Sequence, residues 1–231
     1  MNRVNEYKDK MYLPDSTDDD DIIRYQKPTP HLDLEEYPFD KTTMMGGWYI
    51  KEDLVTEINK WINDRIKSWD WFQLGDSIVN GVPQHAPHIK EAYQHNVNPD
   101  MLDEPWGQYR DQLQGCLELY MNKYPEMCGQ GAFDIYYGYN VQVYKKGGGF
   151  KIWHAEYDYL SEVARTRALV FMTYLMDVED GGTHFKYQNI TCPSKKGLTV
   201  LWPPYWTHTH KSEVSHTSSK RILTGWYNHK L

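Results

Sequence analysis

The chain has 231 residues, 40% of them hydrophobic and 15% aromatic, which suits one medium-sized domain or a domain with a tail and excludes disorder throughout. Its 25 lysines and arginines stand against 32 aspartates and glutamates, and the resulting net charge of −7 argues against a general binder of nucleic-acid backbones. No apolar run approaches the roughly 18–20 residues that cross a bilayer, and the polar start Met1-Asn2-Arg3-Val4-Asn5-Glu6 lacks the core of a signal peptide, so a soluble cytoplasmic protein is expected.

Residues 1–45 read as an extended or partly ordered arm. The acidic run Asp18-Asp19-Asp20-Asp21 and the Pro28/Pro30 pair leave little apolar periodicity, with Ile22, Ile23 and Tyr25 as the residues able to pack. The acidic run lacks the regular ligand spacing and turn glycine of a calcium loop. Residues 46–231 read as the domain proper, with helical support over 50–125 and a strand-built core over 131–231. In the first part, Leu54, Ile58, Trp61, Ile62 and Ile66 recur at helical spacing, as do Trp106, Tyr109, Leu113, Leu117 and Tyr120. Between these two helices, Gly75 to Pro105 carries four prolines and reads as a loop, with a substrate-covering lid as one use for it.

After Gly131 the pattern changes to short strands: Ile135 to Tyr144, Phe150 to Glu156, Arg167 to Met176, Leu198 to Trp202 and Arg221 to Tyr227. Helices first and then about eight short strands predict an α+β chain, a jelly roll with supporting N-terminal helices. Cys116, Cys128 and Cys192 are odd in number, widely spaced and without a CxxC pair. They read as small buried hydrophobes rather than as a disulfide or zinc-thiolate set.

The feature that carries chemistry is His154-Ala155-Glu156, with His210 far downstream. In a strand, residues i and i+2 share a face about 6.6 Å apart along the chain, so an imidazole and a carboxylate there can converge on one ion. A second histidine from a distant strand completes the two-His-one-carboxylate set that suits non-haem Fe(II) and leaves positions open for substrate and O2. Asp158 lies two residues too far along to share the ion. His208 and His210 are alternatives for the distal ligand. Lys220 opens Lys220-Arg221-Ile222-Leu223-Thr224-Gly225-Trp226, where alternation puts Lys220, Ile222, Thr224 and Trp226 on one face. A lysine heading an apolar face is costly to bury without an anionic partner.

Taken together, residues 135–228 resemble the Fe(II)/2-oxoglutarate-dependent dioxygenases, in their prolyl 4-hydroxylase-like branch. The resemblance rests on Val143-Tyr144 and the glycine turn, on Trp153-His154-x-Glu156, and on Arg167-x6-Tyr174 running on to Gly181-Gly182. It continues through Lys196-Gly197, Trp202-Pro203, His208-x-His210 and Lys220 with Thr224 and Trp226. It implies a double-stranded β-helix, with His154, Glu156 and His210 as iron ligands; spacing to Lys220 favours His210 over His208. It also implies Lys220 and Thr224 on the distal carboxylate of 2-oxoglutarate, Tyr144 and Tyr174 hydrogen-bonding that cosubstrate, and Trp226 walling the pocket. The activity implied is hydroxylation, of a prolyl residue in a peptide or protein, coupled to decarboxylation of 2-oxoglutarate to succinate. Fe(II), 2-oxoglutarate and O2 are the required partners and ascorbate an accessory reductant. Two departures stand out: most of the family has aspartate at the Glu156 position, and Gly182-Thr183-His184-Phe185 is one residue tighter than the usual pattern. The alternatives are a non-enzymatic metal- or ligand-binding module with a degenerate iron site, or a dioxygenase acting on another amino acid or on nucleic acid. The acidic balance counts against nucleic acid.

Other motifs have plainer readings. His85, His88 and His95 could suggest zinc, but Pro87 interrupts any helix aligning them, so exposed loop histidines are expected. Lys145-Lys146-Gly147-Gly148-Gly149 reads as a hairpin turn rather than a phosphate loop. Arg165 and Arg167 read as edge or structural charges. Trp202, Tyr205 and Trp206 read equally as core packing or as the lining of a substrate groove.

Overall fold

A computed structural model describes residues 25–67, 71–79 and 82–230. The acidic run at 18–21 and the pair Ile22 and Ile23 lie outside the described residues. Among the described residues the chain has two α-helices, several 3-10 turns and sixteen short strands. In chain order these are β1 (Glu36–Tyr37), β2 (Gly46–Tyr49), α1 (Glu52–Ile66), β3 (Gln73–Leu74), β4 (Ser77–Val79) and β5 (Val82–Gln84). Then come β6 (Lys90–Glu91), β7 (Tyr93–Val97), α2 (Trp106–Lys123), β8 (Phe133–Asp134), β9 (Tyr139–Tyr144) and β10 (Gly149–Phe150). The last are β11 (Arg167–Tyr174), β12 (Val178–Phe185), β13 (Ile190–Ser194), β14 (Leu198–Trp202), β15 (His210–Ser212) and β16 (Lys220–His229).

Both helices form where the periodicity places them. In α1, Leu54, Val55, Ile58 and Ile62 make one buried stripe, while Glu52 and Asp53 at its start and Arg65 in its last turn complement the helix dipole. In α2 the expected face, Trp106, Tyr109, Leu113, Leu117 and Tyr120, is buried throughout. No helix of the described residues is long and apolar enough to cross a membrane.

The main sheet is antiparallel and runs β1-β2-β14-β11-β16-β9-β7-β3, with β8 paired to the far end of β16. A second sheet, β13-β12-β15, and two short ribbons, β10-β6 and β4-β5, complete the strands. Period-two alternation divides the main sheet's side chains between two cores. Leu169 and Phe171 of β11, Leu201 of β14 and Leu223 of β16 face α1 and α2. Val170, Met172 and Tyr174, with Val200, Trp202 and Ile222, face the second sheet, where they meet Phe185 and Cys192. Because both faces of β11 are covered, it reads as a nearly continuous buried run rather than an alternating one.

This is a mostly antiparallel jelly-roll-type fold carrying two helices. Strands β8 to β16 follow residue 131, but β1 to β7 lie in the region read as arm, helical support and loop. Most telling is the supposed loop 75–105. Its β7, Tyr93-Gln94-His95-Asn96-Val97, pairs along β9 as an integral strand of the main sheet. Its polar composition shows no apolar alternation, because what fixes it is the ladder to β9. The expected strand from Ile135 is shorter, starting at Tyr139 after the turn at Gly138. The tight segment at Gly182 sits in β12, where the register against β13 shifts between Val178 and Thr183. The described part of the arm packs on the helical side, with His31 Nδ1 at 2.6 Å from Glu118 Oε2 of α2 and the Leu32 side chain against Gly115. Of the three free cysteines, Cys116 and Cys192 are buried and Cys128 half-buried.

Candidate active site

A cavity of about 450 Å³ opens on the face of the main sheet turned away from the helices, and His154, Glu156 and His210 all line it. His154 does not reach it on a strand. After β10 the backbone is irregular up to β11, and His154 makes a single bridge with His210, each N–H donating to the other's carbonyl at 3.0 and 2.9 Å. The chain then turns, with the Glu156 and Tyr157 N–H groups both donating to the Pro204 carbonyl at 3.0 and 2.9 Å. Same-face alternation along a continuous strand, the basis of the sequence expectation, is therefore replaced by a backbone bridge that pairs the two histidines directly.

Glu156 Oε1 lies 3.5 Å from His154 Nε2 and 3.4 Å from His210 Nε2. One ligand atom from each of the three residues falls within 4.8 Å of the others. The remaining ring nitrogens face carbonyl oxygens: His154 Nδ1 is 3.1 Å from Ile152 O, and His210 Nδ1 is 2.8 Å from His208 O. A carbonyl only accepts, so Nδ1 is the donor on each ring and Nε2 is the nitrogen turned to the carboxylate. Burial, helped by the neighbouring His210, lowers the His154 pKa and keeps its imidazole neutral. Burial works against the charge on Glu156, but its polar contacts with both histidines and the Arg167 charge outweigh it, and the carboxyl stays well below its usual range. Two imidazole nitrogens and one carboxylate oxygen thus converge, and a bound cation would take the place of any proton shared among them. Imidazole nitrogens with one carboxylate are a donor set that fits Fe(II).

The other carboxylate oxygen is also engaged. Glu156 Oε2 accepts from Arg167 Nη1 at 3.1 Å and from the Trp226 indole N–H at 3.0 Å. The Arg167 guanidinium also donates to the Glu156 carbonyl and lies 3.7 Å over the Trp226 ring. Glutamate's extra methylene lets one oxygen face the histidines while the other reaches this pair. Arg167, read from sequence as structural, is thus a direct partner of the central carboxylate. The signal that could have found it is a guanidinium heading an otherwise apolar strand.

Aromatic rings seal the histidines. Phe150 stacks on His154 at 3.6 Å between centroids, and Trp202 and Phe185 lie against His210 at 5.2 and 5.4 Å. Trp202 is core and cavity wall at once, whereas Tyr205 and Trp206 are exposed. His208 turns away from the cluster: it is buried, with Nε2 at 2.9 Å from Thr43 O.

The expected cosubstrate residues divide into two groups. Tyr144, Thr224 and Trp226 line the cavity. The Tyr144 hydroxyl donates to Gln142 Oε1, and the Thr224 hydroxyl to the Phe171 carbonyl at 3.2 Å. Lys220 and Tyr174 sit behind that wall. The Lys220 Nζ donates to the Gly181 carbonyl at 2.8 Å and the Glu213 carbonyl at 3.2 Å, and stands 5.3 Å from the centre of the Tyr144 ring. Burial depresses its pKa to about 8. Tyr174 donates to Thr183 Oγ1 at 2.7 Å, and Thr183 itself lines the cavity. His85 and His88 are exposed, and His95 packs among Trp61, Trp71 and Phe72; the one metal-capable cluster among the described residues is His154, Glu156 and His210. One cavity residue gave no sequence signal at all: Lys90 of β6, inside the presumed loop.

No family model matches the sequence, and no curated protein matches it either. Solved structures do match. A prolyl-4-hydroxylase from Pseudomonas putida aligns over 80% of this chain and 92% of its own, at 15% identity and a TM-score of 0.60. The viral collagen prolyl hydroxylase of Paramecium bursaria Chlorella virus-1, in its 2-oxoglutarate complex, aligns over 81% and 97% at 16% identity and a TM-score of 0.57. A Trichoplax adhaerens prolyl hydroxylase bound to a hypoxia-inducible-factor peptide fragment aligns over 81% and 84% at 14% identity and a TM-score of 0.62. The chain therefore has the fold of these prolyl hydroxylases, the branch that its sequence motifs resemble.

Proposed function

We propose that the chain is an Fe(II)/2-oxoglutarate-dependent dioxygenase that hydroxylates a prolyl residue in a peptide or protein, built on a double-stranded β-helix that spans residues 46–231 with its helical support. The observation that carries this reading is the convergence of His154 Nε2, Glu156 Oε1 and His210 Nε2 on one wall of the cavity. These three residues would hold the iron. Bound iron would supply the oxidative chemistry that couples decarboxylation of 2-oxoglutarate with O2 to hydroxylation of a C–H bond.

The chain's own residues have separable tasks. Arg167 and Trp226 fix the Glu156 carboxylate so that one oxygen stays on the metal side. Phe150, Trp202 and Phe185 keep water from the imidazoles. Lys220 would anchor the distal carboxylate of 2-oxoglutarate by exchanging a carbonyl contact for an ion pair, with Thr224 and the Tyr144 and Tyr174 hydroxyls orienting the rest. The peptide bound to the Trichoplax neighbour and the 2-oxoglutarate bound to the viral one support these assignments of substrate class and cosubstrate. The deciding experiment is succinate formation from 2-oxoglutarate with Fe(II) and ascorbate, with and without proline-containing peptides. Turnover that His154→Ala and His210→Ala abolish is expected; no turnover, together with no 2-oxoglutarate binding, would overturn the reading.

A further inference from the structure

The cavity is lined by one lysine, which the reading above does not use. Lys90 lines it from β6, is buried, and projects an ammonium whose single hydrogen-bond acceptor among the described residues is Gln94 Oε1 at 2.8 Å. Its strand pairs with β10 so that Lys90 stands opposite Phe150, the residue stacked on His154. The lysine therefore shares one cavity with the candidate metal centre. An ammonium has three N–H donors, and two of these are left for a ligand. Asp76 and Glu156 are the carboxylates that act on it, but neither makes an ion pair with it. Gly75 presses on it from one side: a Cβ there would meet Lys90 Cε at 3.0 Å, Lys90 Nζ at 3.3 Å and Gln94 Oε1 at 3.0 Å.

The two buried lysines are not equivalent. Lys220 is already ringed by backbone carbonyls and lies behind the wall formed by Tyr144. Lys90 belongs to the β6–β10 ribbon outside the main sheet and opens directly on the cavity. A buried cation with one neutral acceptor is costly, and an anion offsets that cost. A dicarboxylate cosubstrate anchored at Lys220 leaves the cation at Lys90 with no ion-pair partner, only the more distant charges of Asp76 and Glu156. From this placement we infer that Lys90 binds a carboxylate of the primary substrate, so that the enzyme acts on a residue with a carboxylate close to the reacting carbon. That carboxylate can come from a chain end or from an aspartate or glutamate side chain. The inference rests on the dioxygenase reading for the identity of the other anion.

The test is calorimetric titration of the full chain, loaded with Mn(II) and 2-oxoglutarate without oxygen, against the N-acetylated amino acids, each as free acid and as amide. The free acids are expected to outbind their amides if the carboxylate is a chain end. The amides of N-acetylaspartate and N-acetylglutamate keep only a side-chain carboxylate and are expected to bind if that is the source. Lys90→Gln should weaken the preferred compound about 10- to 150-fold, the range for a charged hydrogen bond, while Lys90→Arg retains part of the affinity. Gly75→Ala, which keeps the charge but crowds the amine, should also weaken it and guards against a misfolded lysine variant. The inference is overturned if no free acid outbinds its amide and the amides of N-acetylaspartate and N-acetylglutamate bind no better than those of N-acetylasparagine and N-acetylglutamine, or if Lys90→Gln binds the panel like the wild type. It is also overturned if Lys90→Gln lowers affinity for 2-oxoglutarate itself, which would assign the amine to the cosubstrate. A protein that binds no 2-oxoglutarate at all sinks instead the dioxygenase reading on which the inference stands.

Discussion

Glu156 is where a single methylene can be tested. Its two carboxylate oxygens face opposite ways, Oε1 to the histidine nitrogens at 3.4 and 3.5 Å and Oε2 to Arg167 and Trp226 at 3.1 and 3.0 Å. Replacement by aspartate withdraws the carboxylate by about 1.5 Å, one carbon–carbon bond. If Oε1's place at the metal is kept, the contacts to Arg167 and Trp226 stretch beyond hydrogen-bonding range; if they are kept, the metal-side oxygen retreats. Either way at least one charge-assisted interaction is lost, at about 1.5–3 kcal/mol, and we take that single loss because the group is not fully enclosed. The expected result is a metal dissociation constant raised about 10- to 150-fold, read by calorimetric titration of the chelator-stripped protein with Mn(II). Arg167→Met should move the same constant in the same direction, since it removes the charged donor from Oε2 while leaving all three ligands. An aspartate variant that binds Mn(II) as tightly as the wild type would refute the two-sided role of the carboxylate, and with it the physical reason for glutamate here.

Further outcomes follow from the same geometry. Lys220→Ala should weaken 2-oxoglutarate binding by about 1.5–3 kcal/mol in calorimetry, and an unchanged affinity would show that another group anchors the dicarboxylate. Burial holds the Lys220 pKa at about 8, well below its ordinary 10.5, so above pH 8 the free protein loses the charge that the dicarboxylate needs. Affinity for 2-oxoglutarate should therefore fall as pH rises from 8 to 9.5 in the wild type and stay flat in Lys220→Arg; a flat wild-type profile would count against this anchor. The same group gives a stability trend of definite sign. Between about pH 8 and 10.5 the unfolded chain holds a proton that the folded chain has released, so the Lys220 contribution makes urea stability rise with pH across that window. His208→Ala should leave Mn(II) affinity within about twofold and cost about 1 kcal/mol of stability through its lost bond to Thr43, whereas His210→Ala should abolish tight binding.

The sequence by itself determined the elements whose signal is local. Helical spacing marked α1 and α2, and the apolar run Leu198–Trp202 marked β14 from end to end, because burial of one face or both faces is written directly in composition. Spacing also paired His154 with Glu156, and the family resemblance favoured His210 over His208 as their distant partner. What spacing could not supply was the means by which they meet: His154 sits outside any strand, and its backbone bridge to His210 joins residues far apart in the chain. The same limit hid β7, a polar strand fixed by its ladder to β9, and Lys90 with it. It also hid the bond from Arg167 to Glu156: a guanidinium heading an apolar strand marks the arginine but not its partner. Residue types and periodicity name the parts, because each depends on its neighbours in sequence. Only tertiary packing decides which lysine opens on the cavity and which is closed off by carbonyls, because burial and hydrogen-bond partners are set by distant segments.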